Sequence, residues 1–312
     1  MRTTTALVAG ILCLSLLPFI NSDELQWDEL IFTQEWGFAA CRQFKDRLGP
    51  GSEKRCRFEG KPSIWSVHGI WPTKEGSQGP NFCKKVKFDI NALNPILPDL
   101  NQYWYEIDDT KDAHHFWEHE WLKHGSCAME LDIFGTELKY FGEGVALRNK
   151  LDLYTILKSG GVIPSPTAGY KLNDIHKAFQ QALGSETAIP YVQCLRTTNQ
   201  DANSLEYHML AIEICLDKDL KVLDCSREQS RDVSAMYGDQ AGPCPADGPI
   251  LYTDYNFQRG SKIKSHHRMK PFFAKNLPLP SKYWNKLKSQ IPIDLYGTQS
   301  FLKMFYMYKY QK

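Results

Sequence analysis

The sequence predicts an α+β single domain, and three observations carry that prediction. Stretches of strand character lie toward the two ends of the chain and helical stretches lie between them. Two of the later strand candidates read as members of one sheet. Eight cysteines remain once an apolar leader is set aside, an even number that suits a disulfide-stabilised fold.

Taken in order, residues 1–22 have a short positive start at Arg2, an apolar run from Ala6 to Ile20, and small polar residues at Asn21 and Ser22. That pattern is a secretory signal peptide, too short for a membrane span. The segment "LQWDELIFTQEW" alternates and is expected to be a strand. "SIWSVHGIWP", Ser63 to Pro72, is β-prone and is expected to stop at its proline, and Lys74 to Pro80 reads as a loop. "DDTKDAHHFWEHEWLKHGSC" is helical in pattern, with Asp109, Thr110 or Asp112 as caps and Gly125 just past the end. "LNDIHKAFQQAL", Leu172 to Leu183, spaces its apolar residues as a helix does and offers Asn173 as a cap. "IPYVQCL" and "EYHMLAIEICL" are strands of one sheet, and Gly242 to Pro249 is a turn-rich close.

Hydrophobic residues make up 42% and charged residues 23%, which are ordinary values for a globular chain. No N-x-[ST] sequon and no CxxC pair occur, so N-glycosylation and a zinc-ribbon reading are not expected. The net charge of +1 conceals an asymmetry. Residues 258–312 hold 12 Lys/Arg and one acid, a charge of +11, against −10 for the rest.

Chemistry concentrates in "FWEHEWLKHGSC", Phe116 to Cys127. On an ideal helix His119 shares a face with Lys123, and Glu120 shares the adjoining one with His124. A zinc site of the H-E-x-x-H kind needs histidines four apart. Here they are five apart, about 140° around an ideal helix, with Lys123 repelling a cation. Cations and histidines crowded beside aromatic rings suit phosphate chemistry better. A second cluster, "SVHGIWP", places His68 in a strand next to Gly69, Trp71 and Pro72.

Together the two segments resemble the active-site motifs of the ribonuclease T2 family. His68-Gly69-Ile70-Trp71-Pro72 meets the first motif, H-G-[LI]-W-P. His119 to Cys127 meets the second, H-E-W-x-K-H-G-[TS]-C. The likeness extends to "QWDELIFTQEW", "LDLYTILKSGGVIPS" and "CPADGPILY", covering roughly Leu25 to Tyr252. It implies a central antiparallel sheet flanked by helices in a domain spanning 23–257, and a monomeric endoribonuclease that needs no metal or cofactor. Single-stranded RNA would be cut by attack of the ribose 2′-OH on its own phosphate, giving a 2′,3′-cyclic phosphate. On that pattern His124 is the base and His68 the acid, His119 holds the phosphate, and Lys123 with Glu120 stabilises the phosphorane. Trp71 and Phe116 would contact bases by stacking. The implied disulfides are Cys41–Cys56, Cys83–Cys127, Cys194–Cys244 and Cys215–Cys225. Histidine titrating at about 6.5, with lysosomal relatives, points to an acid-side optimum and a secreted or lysosomal enzyme. A protein of this fold that acts mainly by binding, as a signalling or defence factor, is the alternative.

The basic extension departs from the family pattern. Its 12 Lys/Arg alternate with ten aromatic residues, among them Tyr283, Trp284, Phe301, Phe305 and Tyr306. Such interleaving suits single-stranded nucleic acid, and charge balance against the acidic body is the competing account. A variant ending at Phe257 separates them. If the extension recruits RNA, the salt dependence of binding flattens and KM for long RNA rises, with kcat on a dinucleotide unchanged. If it packs on the body, melting temperature falls and the salt slope stays.

Overall fold

β1 (Glu29–Trp36) is the strand on which the sheet is organised. In the computed structural model, which describes residues 27–255 apart from 50, 75, 76, 78, 200–202 and 226–238, β1 pairs antiparallel with β2 (Trp65–Thr73) on one side and with β5 (Ser204–Leu216) on the other. The leader at 1–22 and the extension at 258–312 lie outside the described residues. β5 pairs in turn with β4 (Tyr191–Asn199), and β4 with β6 (Ala241–Pro243), so the order is β2-β1-β5-β4-β6. Two short strands, β3 (Gly169–Tyr170) and β7 (Ile250–Leu251), complete a seven-stranded sheet. All its pairings are antiparallel except β5 with β7. The expected antiparallel sheet is therefore present, with one parallel contact at its margin.

Helices follow in the middle of the chain, as the pattern predicts. α1 (Gly37–Leu48) leaves β1 directly. α2 (Leu97–Tyr103), α3 (His114–Glu120), α4 (Ser126–Ala128) and α5 (Glu137–Lys150) come after β2, then α6 (Leu153–Ser159) and α7 (Leu172–Leu183). α7 matches its predicted span, but Asn173 is not its cap. Lys171 occupies that position, and Asp174 Oδ2 accepts from the Lys171 N–H at 3.0 Å. At its other end Gly184 adopts φ 61°, the left-handed conformation that glycine reaches without strain.

β1 was expected to alternate between core and solvent. Instead seven of its eight residues are buried, and the last nine of β5 are buried in succession. Strands covered on both faces lose alternation. β2 also runs past its expected stop: Pro72 is within the strand, opposite Leu30. β2 ends the strand order, and proline, lacking an N–H, is accepted on an edge where no further ladder bond is needed.

All four expected disulfides form: Cys41–Cys56, Cys83–Cys127, Cys194–Cys244 and Cys215–Cys225. Cys83–Cys127, spanning 44 residues, ties the segment after β2 to α4, and beside it Phe82 N donates to Lys123 O at 2.9 Å. By loop closure, removing that bridge should cost about 4 kcal/mol against about 3 kcal/mol for Cys215–Cys225, which spans 10 residues. Denaturation of the two double-alanine variants checks the order. Faster amide exchange across residues 121–128 is expected in the Cys83/Cys127 variant alone.

Candidate active site

His68 owes its position to an irregularity in strand pairing. Thr33 faces Gly69 and Gln34 faces Val67, so His68 has no Cα partner on β1. An extra residue of this kind bends the strand and re-aims a side chain. The His68 carbonyl, released from the ladder, accepts from Trp104 Nε1 at 2.9 Å. Its ring Nδ1 hydrogen-bonds Glu35 Oε1 on β1, and the two side chains are 20% and 18% exposed. Burial alone would lower the imidazole pKa. The Glu35 carboxylate, then Glu120 and Glu213, more than reverses that and raises it to about 9.

The second cluster departs from the ideal helix. α3 ends at Glu120, and Trp121–Gly125 form a π turn before α4, with Ser126 N bonded to Trp121 O. The expectation of one continuous helix with Gly125 just past its end is thus corrected. The i to i+5 bonding changes the angular step, so the face assignments drawn from a 3.6-residue period do not hold across this segment. Gly125 is inside the turn because Trp121 packs there: a Cβ on it would lie 2.2 Å from Trp121 Cε3. None of the three expected caps is the N-cap, which is Ala113; Asp112, one residue earlier, accepts from His114 N at 2.9 Å.

Trp71 joins the clusters. Its Nε1 donates to Glu120 Oε2 at 3.0 Å. Its ring lies 5.2 Å from that of His68 and 5.5 Å from that of His124. The bond passes over Gly69, where a Cβ would stand 2.2 Å from both Glu120 Oε2 and Trp71 Nε1. Only glycine leaves that room. Glu120 is 1% exposed, and burial pushes its carboxyl up to about 7 despite His68, the Trp71 bond and Lys123. His119 is on the outer side of α3. Partial desolvation, then Lys123 and His68, holds it below the ordinary imidazole value.

All five expected catalytic residues therefore belong to the β2 bulge or to the α3–π-turn segment, and Trp71 spans the two. The aromatic pair separates. Phe116 is half-buried, its ring 5.6 Å from His68, and lines a cavity of about 160 Å³ with Glu35, Gln43 and Arg47. Trp71 is 2% exposed, so its ring is a support under the site and offers no open face for stacking. Glu35 is the residue that sequence reasoning passed over. It lies in a segment read as a plain strand, and only the pairing of β1 with β2 brings it to His68. Among the described residues no group of three His, Cys, Asp or Glu is arranged to hold a metal ion.

The sequence profile of the ribonuclease T2 family matches residues 27–225. The chain is 33% identical over 228 residues to ribonuclease Oy of Magallana gigas, covering 72% of this chain and 96% of that protein. It is 32% identical over 225 residues to human ribonuclease T2, covering 70% and 79% of the two chains. The crystal structure of human RNase T2 superposes with a TM-score of 0.53 at 28% identity, covering 73% of this chain and 98% of that one. A buried carboxyl bonded across a glycine to an indole, with histidine rings on either side of that indole, makes up the candidate site. The chain belongs to the ribonuclease T2 family and is a T2-type endoribonuclease.

Glu120 gives a pH test with a definite sign. Its folded value near 7 exceeds the ordinary 4.5, so the folded state binds the proton more tightly. Its stabilising contribution is complete below about 4.5 and is lost as pH rises through 7. Glu120→Gln, which cannot ionise, should melt several degrees higher than the parent at alkaline pH and show no difference in acid, while its RNA cleavage falls. Trp71→Phe, which removes the donor, should raise the Glu120 titration midpoint further, as read by NMR.

Proposed function

We propose that this enzyme cleaves single-stranded RNA by transphosphorylation without a metal. The observation that carries the reading is Trp71, whose ring is flanked by the rings of His68 and His124 at 5.2 and 5.5 Å. In this scheme His124 takes the 2′-OH proton, the 2′-oxygen forms a bond to phosphorus, and the P–O5′ bond breaks. His68 returns a proton to the departing 5′-oxygen. The product is a 2′,3′-cyclic phosphate, and protons balance because one histidine is charged as the other is discharged.

The phosphorane needs donors more than it needs another anion. Lys123 supplies positive charge, and His119 binds a phosphate oxygen. Glu120 is a neutral carboxylic acid below about pH 7, so it can offer an O–H to the phosphorane. That supports an optimum on the acid side. His68, titrating near 9, stays charged throughout that range and is ready to donate. The chemistry itself requires no metal, since the nucleophile is in the substrate. Phe116, half-buried beside His68, is the stacking surface for a base.

Four disulfides and the leader expected at residues 1–22 support an oxidising, exported setting, secreted or lysosomal. No helix among the described residues is long and apolar enough to cross a membrane. The catalytic unit is assigned to 23–257.

His68→Ala and His124→Ala should each lose about 10²–10⁴-fold in kcat with melting temperature retained. The parent should cleave RNA undiminished in EDTA and accumulate a cyclic phosphate detectable by ³¹P NMR. Activity abolished by chelator, or near-normal turnover by either variant, would remove the scheme.

A further inference from the structure

We propose that Glu35 is a positioning residue for the leaving-group acid: by accepting a hydrogen bond from the Nδ1–H of His68 it leaves the Nε2–H to face the 5′-oxygen. The inference rests on the reading of His68 as the acid. Its observations are geometric. Glu35 and His68 are on adjacent strands, Glu35 Oε1 is hydrogen-bonded to His68 Nδ1, and both side chains are four-fifths buried. The bulge that lets His68 out of the ladder begins at Thr33/Gln34, immediately before Glu35. One irregularity thus creates both halves of the pair.

A histidine with one ring nitrogen committed to a carboxylate has its tautomer and ring angle decided before substrate arrives. The bond also favours the charged ring. Other charged groups near it act with or against this: Glu120 from α3, Glu213 from β5, and Arg47 of α1 with Glu106 beside the shared cavity. Glu35 is the group in direct contact, and the first of the acidic groups in its effect on His68. In turnover the Nε2 proton passes to the 5′-oxygen as the P–O5′ bond breaks. The neutral ring that remains keeps its Nδ1–H on Glu35, so Nε2 is left as the acceptor. The same nitrogen then takes a proton back, and the ring need not flip between steps.

Two variants separate orientation from charge. In Glu35→Gln the amide oxygen can still accept from Nδ1 but carries no charge. In Glu35→Leu both the acceptor and the charge are gone. The substrates are a dinucleotide, whose alkoxide leaving group needs an acid, and a nucleoside 3′-(4-nitrophenyl phosphate), whose phenolate does not. Expected for Glu35→Leu is a loss of about 10²-fold in kcat on the dinucleotide, the lower end of what one proton transfer contributes, with little change on the nitrophenyl ester. Ring ¹⁵N shifts of the neutral His68 should then report mixed tautomers. Glu35→Gln should keep the single tautomer and bring the His68 titration midpoint down from about 9. Equal losses on both substrates, or an unmoved His68 midpoint in both variants, would overturn the role. A parent enzyme whose nitrophenyl turnover also collapses on His68→Ala would instead overturn the assignment of His68 as the acid, leaving Glu35 unjudged by kinetics but still tested by the tautomer signal. Melting curves of the two variants confirm that folded protein was compared.

Discussion

The hydrogen bond from Trp71 Nε1 to Glu120 Oε2 fastens the bulged end of β2 to the segment that carries His119, Lys123 and His124. It depends on Gly69, because any Cβ there would meet both partners at 2.2 Å. It also depends on Glu120 being the last residue of α3, where the π turn begins and Lys123 and His124 take a new direction. A buried carboxyl left without a donor would carry a large desolvation penalty, so the indole N–H helps make this position tenable. The motif H-G-I-W-P is therefore a packing statement as much as a chemical one. The histidine is the residue proposed to act, the glycine makes space, and the tryptophan reaches across.

Tryptophan is used in the same way throughout the domain. Each of the seven tryptophans among the described residues donates its indole N–H to a specific oxygen. The acceptors include Cys127 O for Trp27, His68 O for Trp104, Trp104 O for Trp117, and Tyr252 Oη for Trp65. A large ring excludes water and its one donor fixes its orientation. Several of these acceptors border the site, so the core and the catalytic geometry are held by the same side chains. The chain from Trp117 to Trp104 to the His68 carbonyl links α3 to the bulge from behind. Cys83–Cys127 holds the opposite end of that segment covalently.

Electrostatics at the site follows from three carboxylates in different surroundings. Glu35 meets a histidine directly and keeps it charged. Glu120, buried against an indole, is pushed toward neutrality near pH 7. Glu213, buried in β5 and bonded by Gln193, contributes to His68 from further away. Environment, not residue type, separates an anion from an acid here. In the proposed mechanism the site must both donate a proton and receive a dianionic phosphorane, and it benefits from having one of each.

Much of the site was legible in the chain itself. His68, His119, Glu120, Lys123 and His124 stand in two dense motifs whose residue types suit phosphate and not zinc. α7 was visible because its apolar spacing is a local property, and β4 and β5 because short stretches of Tyr, Val, Ile and Leu are too. What could not be read locally is what long-range pairing decides. Continuous burial of β1 arises because both faces of the sheet are covered. Pro72 stays within β2 because that strand pairs on one side, a fact of strand order. The π turn appears where Trp121 must seat against Gly125, overriding the helical period. The Glu35–His68 contact exists only once β1 and β2 lie side by side with one residue out of step. Residue types and their spacing determine which chemistry is available. Register, bulge and burial, which depend on partners distant in sequence, determined which carboxylate meets His68 and which carboxyl is driven to hold its proton.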